Sequence, residues 1–476
     1  MLPESRIQED PYKIPKYDIK RTDIIDFVDE LKGFHSEFQD CFSRQEPRDN
    51  FYQYMVGQLS QLERKSIEPI AIAVESAKVR AMQFFVSDVV WNNNKIMLKY
   101  RSMVNDDMGD PDGVLIFDES GFVKKGTESA GVAKQYCGSI GKVENCQVGV
   151  FTAYATRHGY CLLDSRLFVP EKWFSDEFAL RRGKCKFQPG LSFKTKSQLA
   201  VEMLQKISQQ KTILFKYVVA DSIYGNSPKF INAVEDIPQV TYLVSLPADT
   251  LCWVRKPVML QKQYRYKGEL RSKQVLKTPE QKPISFETIA NNTTNYFWYR
   301  RKVSEGTKGP IEYEFTKKRV VLSKNGSPEK EVWILIRRTL GTEPIYSYFI
   351  CNASASCRLK MLVWLSGIRW AIEQCFEEAK TEIGMDHYEV RKFPGWVHHM
   401  TTSMLAHFFL WHIKLRLGKK APAITLSQLR ILIRAILPMR YFDCDELISL
   451  VAWIQEKNYR AYLLHRKKKM LLLNIT

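Results

Sequence analysis

The sequence predicts an α/β protein, a mixed sheet with helices packed on it, flanked by one helical region at each end. Three observations predict this. Residues from about 20 to 105 place apolar side chains at helical spacing. After Pro111-Asp112-Gly113 the pattern changes to short apolar runs bounded by turns, three in succession and then two more alternating with helices. Helical spacing then returns near the C-terminus. With 476 residues, 45% of them hydrophobic, the chain is globular and long enough to form several domains.

Each element follows in order. Ile24, Ile25, Phe27, Val28 and Leu31 predict a first helix, with Thr22-Asp23 as its cap. Helices are expected over 51–63 and 74–91, then turns at Asn92-Asn93-Asn94 and at 106–111. Val114-Leu115-Ile116-Phe117 reads as a strand buried on both faces. Strands at 147–155 and 159–169 pair through Thr156-Arg157-His158-Gly159, and strands at 215–220 and 241–246 follow. Helices are expected at 198–207 and 227–234, where Pro228 suits a first turn. From 248 to 345 a strand-like pattern broken by basic turns predicts a β-rich insertion, with Arg319-Val320-Val321-Leu322 and Val332-Trp333-Ile334-Leu335-Ile336 as examples. Helices over 367–380, 398–417, 426–437 and 445–464 complete the chain, and the last runs into Arg466-Lys467-Lys468-Lys469. The expected divisions are a helical region 1–110, a core segment 111–247, the insertion 248–345, a second core segment 346–395 and a helical region 396–476.

Composition narrows the function. Lys plus Arg number 71 against 52 Asp plus Glu, a net charge of +19, which points to a polyanionic partner. The start of the chain is polar and acidic, unlike a secretory signal. The longest apolar run, 404–413, contains His407 and His412 and is too short to span a membrane, so no membrane partner is expected. Ten cysteines without a CxxC pair fit a reducing cytoplasm and argue against a zinc site.

The 367–380 helix carries an apolar stripe of Ile368, Ile372, Cys375, Phe376 and Ala379. Arg369, Glu373 and Lys380 share one edge beside it. Such an edge suits a divalent metal between phosphates, and it also suits an intrahelical ion-pair ladder. Asp118 directly follows the first buried strand and Asp221 ends the fourth. If those strands are neighbours, the two carboxylates meet on rigid backbone and Glu373 from the helix adds a third. Three hard oxygen ligands suit Mg²⁺ or Mn²⁺, and a metal pair suits phosphodiester chemistry. An Asp after a strand is also an ordinary turn former. Glu119 is expected to alternate away from Asp118, and Glu378 and Glu382 to face solvent.

Longer motifs then carry a resemblance. They are Phe117-Asp118-Glu119-Ser120-Gly121-Phe122-Val123-Lys124-Lys125-Gly126, Gly131-Val132-Ala133-Lys134-Gln135-Tyr136-Cys137-Gly138, and Gly141-Lys142-Val143-Glu144-Asn145-Cys146-Gln147-Val148-Gly149-Val150. Ala220-Asp221-Ser222-Ile223-Tyr224-Gly225, Gly306-Thr307-Lys308-Gly309-Pro310, the Arg369 to Lys380 stretch and Met385-Asp386-His387-Tyr388-Glu389-Val390-Arg391 complete the set. From about 118 to about 409 the chain resembles the IS701 family of insertion-sequence transposases, close to the IS4 group. The resemblance implies an RNase H-like core, a mixed five-stranded sheet with flanking helices interrupted by a β-rich insertion. It implies Asp118, Asp221 and Glu373 as catalytic metal ligands for two Mg²⁺ ions, with Mn²⁺ able to substitute. Arg369, Glu373 and Lys380 match the spacing of the IS4 signature, while Ser366 stands where that group has Tyr. Glu377 is the rival to Glu373 and lacks that spacing.

The expected activity is cleavage at transposon ends, water being the first nucleophile, then transfer of the freed 3′ ends to target DNA. The expected partners are double-stranded DNA, as transposon ends and target, and a second copy of the chain in the synaptic complex. The expected location is the bacterial cytoplasm, at the nucleoid. The alternatives are a catalytically silent DNA-binding derivative and a simple RNase H-like nuclease. Candidate DNA contacts are Arg369, Lys380, Lys124, Lys125, Tyr224, Trp298, Arg300, Arg301, His387 and Arg391; Lys124 and Lys125 equally suit a solvated turn, and Gly225 permits either close approach of a DNA strand or simply a turn. For Phe297 and Tyr299 the reading is one strand face in a small core, and for His398 and His399 core or phosphate contacts.

Overall fold

The computed structural model describes residues 15–267, 269–278, 280–306 and 309–473. The polar N-terminal stretch 1–14, Thr307 and Lys308 of the Gly306 motif, and the side chains of Lys468 and Lys469 in the basic tail lie outside the described residues.

Five helices come first: α1 (Arg21–Ser36), α2 (Gln45–Leu59), α3 (Ile67–Ala73), α4 (Val79–Ser87) and α5 (Asn93–Met108). The expected helix over 74–91 is broken, because Ser76 takes the left-handed conformation (φ 61°) between α3 and α4. Asn92-Asn93-Asn94 opens a helix instead of making a turn. The Asn92 carboxamide oxygen accepts from Lys95 N (3.1 Å) and so caps α5.

Next come β1 (Val114–Val123), β2 (Ala133–Cys137), β3 (Lys142–Ala155) and β4 (Tyr160–Phe168), then α6 (Ala179–Lys184), α7 (Lys196–Gln210), β5 (Tyr217–Ala220), α8 (Ser222–Gly225), α9 (Pro228–Glu235) and β6 (Thr241–Leu246). Val114 to Phe117 are fully buried because β1 is central. It pairs antiparallel with β3 and, over those four residues, parallel with β5. The β5 strand pairs parallel with β6.

The stretch after β6 contains β7 (Leu251–Trp253), β8 (Met259–Tyr266), β9 (Glu269–Leu276), β10 (Ile284–Ser285), α10 (Phe286–Asn291), β11 (Tyr299–Gly306), β12 (Gly309–Lys324), β13 (Ser327–Arg338) and β14 (Tyr346–Cys351). Here the structure corrects the expected five-stranded sheet. One twelve-stranded sheet runs β10-β7-β12-β13-β14-β6-β5-β1-β3-β2, with β11 on β12 and β4 on β3. The cause is β14, which pairs antiparallel with β6 on one edge and with β13 on the other. An edge that would stand open at β6 is thereby satisfied by the ladder beyond it. The β8–β9 hairpin forms a separate two-stranded sheet.

The remaining helices are α11 (Leu359–Ile368), α12 (Trp370–Glu378), α13 (Phe393–Leu417), α14 (Leu426–Ile433) and α15 (Cys444–Leu473). The helix expected over 367–380 is therefore two helices joined at Arg369, followed by a π turn, Ala379–Ile383. Helix α13 is buried along most of its length and packs on β4, α2, α4 and α5. Met404, Leu405, Phe408 and Trp411 on it are at most 1% exposed, each burial stabilising by about 1.5–3 kcal/mol or more. His398 and His399 belong to this core: His398 stacks on Trp91 at 4.0 Å, and His399 pairs with Tyr54 Oη at 2.7 Å. Between α5 and β4, buried Arg101 pairs with buried Asp164 at 2.5 Å. Among the described residues no helix is long and apolar enough to cross a membrane.

Candidate active site

Strand β5 stops at Ala220, opposite Phe117 of β1, while β1 continues. Asp221 thus emerges just where the flank of β1 becomes open. Its carboxylate accepts from Ile223 N (3.0 Å) and caps α8. Gly225 at the end of that turn presses on β6: a Cβ there would lie 2.2 Å from Ser245 O. The expected approach of DNA at Gly225 is thus corrected, since the neighbour that needs glycine is the backbone of β6. Tyr224 is likewise buried, with its hydroxyl donating to Glu119 (3.2 Å), and is closed to DNA.

Asp118, Glu119 and Asp221 each offer a carboxylate oxygen, all within 4.8 Å of one another. This corrects the expectation for Glu119. Alternation does send the two neighbours to different partners, Asp118 to Arg369 (2.9 Å) and Glu119 to Lys196 (2.7 Å) and Tyr224. Both still reach Asp221, because no strand fills the space beyond Ala220. The sequence carries the acidic pair but not the point at which β5 ends relative to β1.

Glu373 joins through Arg369. One guanidinium donates to Asp118 (2.9 Å) and to Glu373 (2.6 Å). The two carboxylates therefore lie within about 8 Å, the sum of both bonds and the width of the guanidinium fork. The ion-pair ladder read from the sequence is present, and it extends across to the sheet. Glu373 is more than half exposed, whereas Asp118 is mostly buried. Burial pushes the Asp118 carboxyl up to about 7; Arg369 opposes this, and Asp221 adds to it. Burial, then the charge of Glu119, raises Asp221 as well. Carboxylates crowded enough to resist ionising together are a hard-oxygen donor set that fits a divalent cation of the Mg²⁺ type.

Glu377 is exposed. Glu378, expected in solvent, is buried and bonds Tyr160 (2.9 Å) and His407 (3.0 Å), so it anchors α12 to β4 and α13. Glu382 is also drawn in, paired with Arg430 at 2.8 Å. The π turn rotates Lys380 toward β1, where its ammonium lies 3.5 Å from Gly121 O and 5.3 Å from the Phe122 ring. Ser366 is buried, its hydroxyl donating to Val363 O (2.8 Å).

The remaining candidates divide. Lys125 and Arg391 are exposed. Lys124 is engaged inside, donating to Tyr388 O (2.8 Å) with its ammonium 3.3 Å from the Tyr388 ring, and burial pushes it down to about 8. Its expected availability to a phosphate is corrected accordingly. The His387 ring nitrogen Nδ1 accepts from Lys65 N (3.1 Å). Arg300 pairs with Glu312 (2.5 Å), while Arg301 is exposed. Trp298 is buried, donating to Thr293 O (3.3 Å) under the Arg338 guanidinium, so its indole does not face a base. The readings of Phe297 and Tyr299 reverse in the same way: they are 53% and 43% exposed. A 3-10 turn, Asn295–Phe297, precedes β11 and sets the alternation so that Trp298 points inward.

Sequence reasoning missed Arg337 of β13. Burial and then, among charges, Arg369 hold it below its ordinary value, with Tyr313 and Glu373 opposing. A strand from the stretch between β6 and β14 thus brings a cation into the field of Glu373. Nothing in the sequence marks it, because its proximity depends on β14 joining the two halves of the sheet.

A family model described as DDE superfamily endonuclease matches residues 37–310. That span holds Asp118, Glu119 and Asp221 and ends before Glu373. The chain is similar to a probable transposase for insertion sequence element IS701 from Microchaete diplosiphon, 22% identical over 373 residues, 78% of this chain and 83% of that one. Among solved structures it is similar to piggyBac transposase in a cryo-EM synaptic complex with hairpin DNA. There the TM-score is 0.38 and the identity 7%, over 87% of this chain and 77% of that one.

Proposed function

Because the chain belongs to the DDE superfamily endonucleases, we propose that it is the transposase of an insertion sequence of the IS701 kind. It binds the two ends of the element, cleaves a phosphodiester at each, and transfers the 3′ ends to target DNA. The observation that carries this reading is the meeting of Asp118 and Asp221 with Glu373 tied in by Arg369. The sheet around β1, β5 and β6 is read as an RNase H-like core, with residues 248–345 as the insertion and 1–110 as the region that recognises terminal repeats.

Asp118, Asp221 and Glu373 would hold two Mg²⁺ ions, for which Mn²⁺ would substitute. Bound there, the ions stabilise charge on the attacking and leaving oxygens. The chain's own groups do the rest. Arg369 sits between two acidic groups and offsets their repulsion of a phosphate. Lys380 beside Gly121 of β1 and Arg337 in the field of Glu373 supply further positive charge. The low exposure of Asp118 strengthens these interactions by excluding water. In the first step a water oxygen bonds to phosphorus, the P–O3′ bond breaks, and the departing oxygen takes a proton. In the second step that 3′ oxygen loses its proton and bonds to a target phosphorus, displacing the target's own 3′ oxygen. Two ends held together imply a working homodimer.

The test incubates purified protein with duplex DNA carrying the element's ends and Mn²⁺. Cutting at the ends, abolished in Glu373→Gln with DNA binding retained and preserved in Glu377→Gln, supports the reading. Cutting without preference for ends identifies a simple nuclease. A shifted but intact duplex identifies a silent DNA-binding derivative.

A further inference from the structure

The charge that attracts a polyanion is unevenly placed along the chain. Residues 1–110 carry fifteen Lys and Arg against nineteen Asp and Glu, so the helical region is acidic. Several of its cations are engaged within the protein: Lys95 and Lys99 pair with Asp40, Arg64 with Glu389, and Arg101 with buried Asp164. Residues 248–345 carry twenty Lys and Arg against ten Asp and Glu. Within them, the stretch 255–277 around the β8–β9 hairpin holds eight cations and the single acid Glu269. Whatever bases the helical region reads, the attraction for phosphate comes from elsewhere, and this hairpin concentrates it.

The hairpin is a ribbon with two unlike faces. Its pairing runs from Met259↔Leu276 to Tyr266↔Glu269 without a register shift, about 27 Å of two-stranded sheet, exposed except at its root. Opposite residues share a face, and neighbours along a strand alternate. One face carries Lys262, Tyr264, Tyr266, Arg271 and Lys273 and packs on itself. The Lys273 ammonium lies 5.5 Å from the Tyr264 ring, the Arg271 guanidinium lies 5.0 Å from the Tyr266 ring, and Arg271 also pairs with Glu269 (2.9 Å). The other face carries Gln261, Gln263, Arg265, Ser272 and Gln274, all exposed, with Leu270 near the tip and Met259 and Leu276 at the root. On it Gln261 donates to Ser272 Oγ (3.1 Å). Three carboxamides, a hydroxyl and a guanidinium make no core, but they are the groups that pair with the edges of adenine and guanine. The major groove of duplex DNA admits a two-stranded ribbon. We propose that β8–β9 enters the major groove with its glutamine face toward the base edges, as a specificity-determining arm. Lys262 and Lys273, opposite each other on the outer face, bend their flexible stems over the rims to phosphates of the two strands. An isolated two-stranded hairpin is only marginally stable in water, and the groove supplies the support this one lacks. That the duplex is the end of an insertion sequence rests on the transposase reading above.

The experiment measures binding of the full chain to two duplexes of equal length and composition over a range of salt. One carries the element's terminal sequence and the other the same bases scrambled. Gln263→Ala combined with Gln274→Ala should reduce the preference for the end duplex by about tenfold or more, with the affinity for the scrambled duplex and the salt slope kept. Lys262→Met combined with Lys273→Met should weaken both duplexes alike and lower the salt slope by about two counterions. All four side chains are exposed, and thermal unfolding that matches the parent's shows that the fold is intact. A glutamine variant that keeps the parent's preference overturns the base reading. A lysine variant that keeps the parent's salt slope overturns the groove docking, and a parent that binds both duplexes alike overturns the proposal outright. A chain that prefers the end duplex through these glutamines but leaves it uncut in Mn²⁺ would uphold the arm and sink the transposase reading. A chain that cuts at the ends with its preference indifferent to the glutamines would do the reverse.

Discussion

Gly225→Ala is the sharpest probe of how the fold places Asp221. The added Cβ would lie 2.2 Å from Ser245 O, and real Cβ contacts rarely fall below 3.0 Å, so α8 or β6 must move by at least 0.8 Å. Strand β6 is anchored by its pairing with β14 over residues 243–246, so the single turn α8 gives way. Gly225 N donates to Asp221 O (2.9 Å), and Asp221 also caps the same turn, so the displacement passes directly to the carboxylate. A misplacement of about 1 Å at a reacting centre lowers the rate by about a hundredfold. Overpacking of this kind costs about 1–3 kcal/mol, which a protein of this size tolerates without unfolding. The assay is the Mn²⁺-dependent cleavage of end-containing duplex, with thermal unfolding measured on the same preparation. Cleavage at close to the parent rate would show that Asp221 is not positioned through α8, and the reasoning would fail.

Arg101→Met leaves Asp164 buried with Arg166 as its remaining salt-bridge partner and should lower unfolding free energy in urea by about 3 kcal/mol. Burial alone would lower the His412 pKa, but its hydrogen bonds to Asp107 and Glu30 outweigh this and raise it above 6.5. Its stabilisation is therefore complete below the unfolded value and is lost as pH rises through the folded one. Thermal midpoints taken from about pH 6 to about pH 9 should fall more steeply for the parent than for His412→Gln. Lys125→Met should weaken DNA binding and reduce its salt dependence by about one counterion, whereas Lys124→Met should chiefly lower the melting temperature, because that ammonium is held by Tyr388.

Local chemistry was legible wherever a segment decided its own structure. The strand over 241–246 follows from an apolar run between turn signals, and Pro228 sits at the start of α9 as its fixed φ requires. The acidic positions Asp118 and Asp221 could be placed at strand ends for the same reason. What escaped depends on partners distant in the chain. The sheet continues past β6 only because β14, about a hundred residues later, pairs with it. Strand β2, Ala-Lys-Gln-Tyr-Cys, is too polar to read as a strand without β3 beside it. Glu378 looks solvated in sequence and is buried because His407 and Tyr160 wait for it. The sequence alone sets the alternation at Trp298 one residue out of phase, because the 3-10 turn Asn295–Phe297 shifts the side chains that follow it.

The unbroken ladder from β13 through β14, β6 and β5 to β1 has a mechanical consequence. A polymer held against the outlying strands would be joined to Asp118 through one continuous run of paired strands among the described residues. If the proposed activity holds, fine adjustment of a scissile bond would then fall to bending or unwinding of the bound DNA rather than to a change in the strands between β13 and β1.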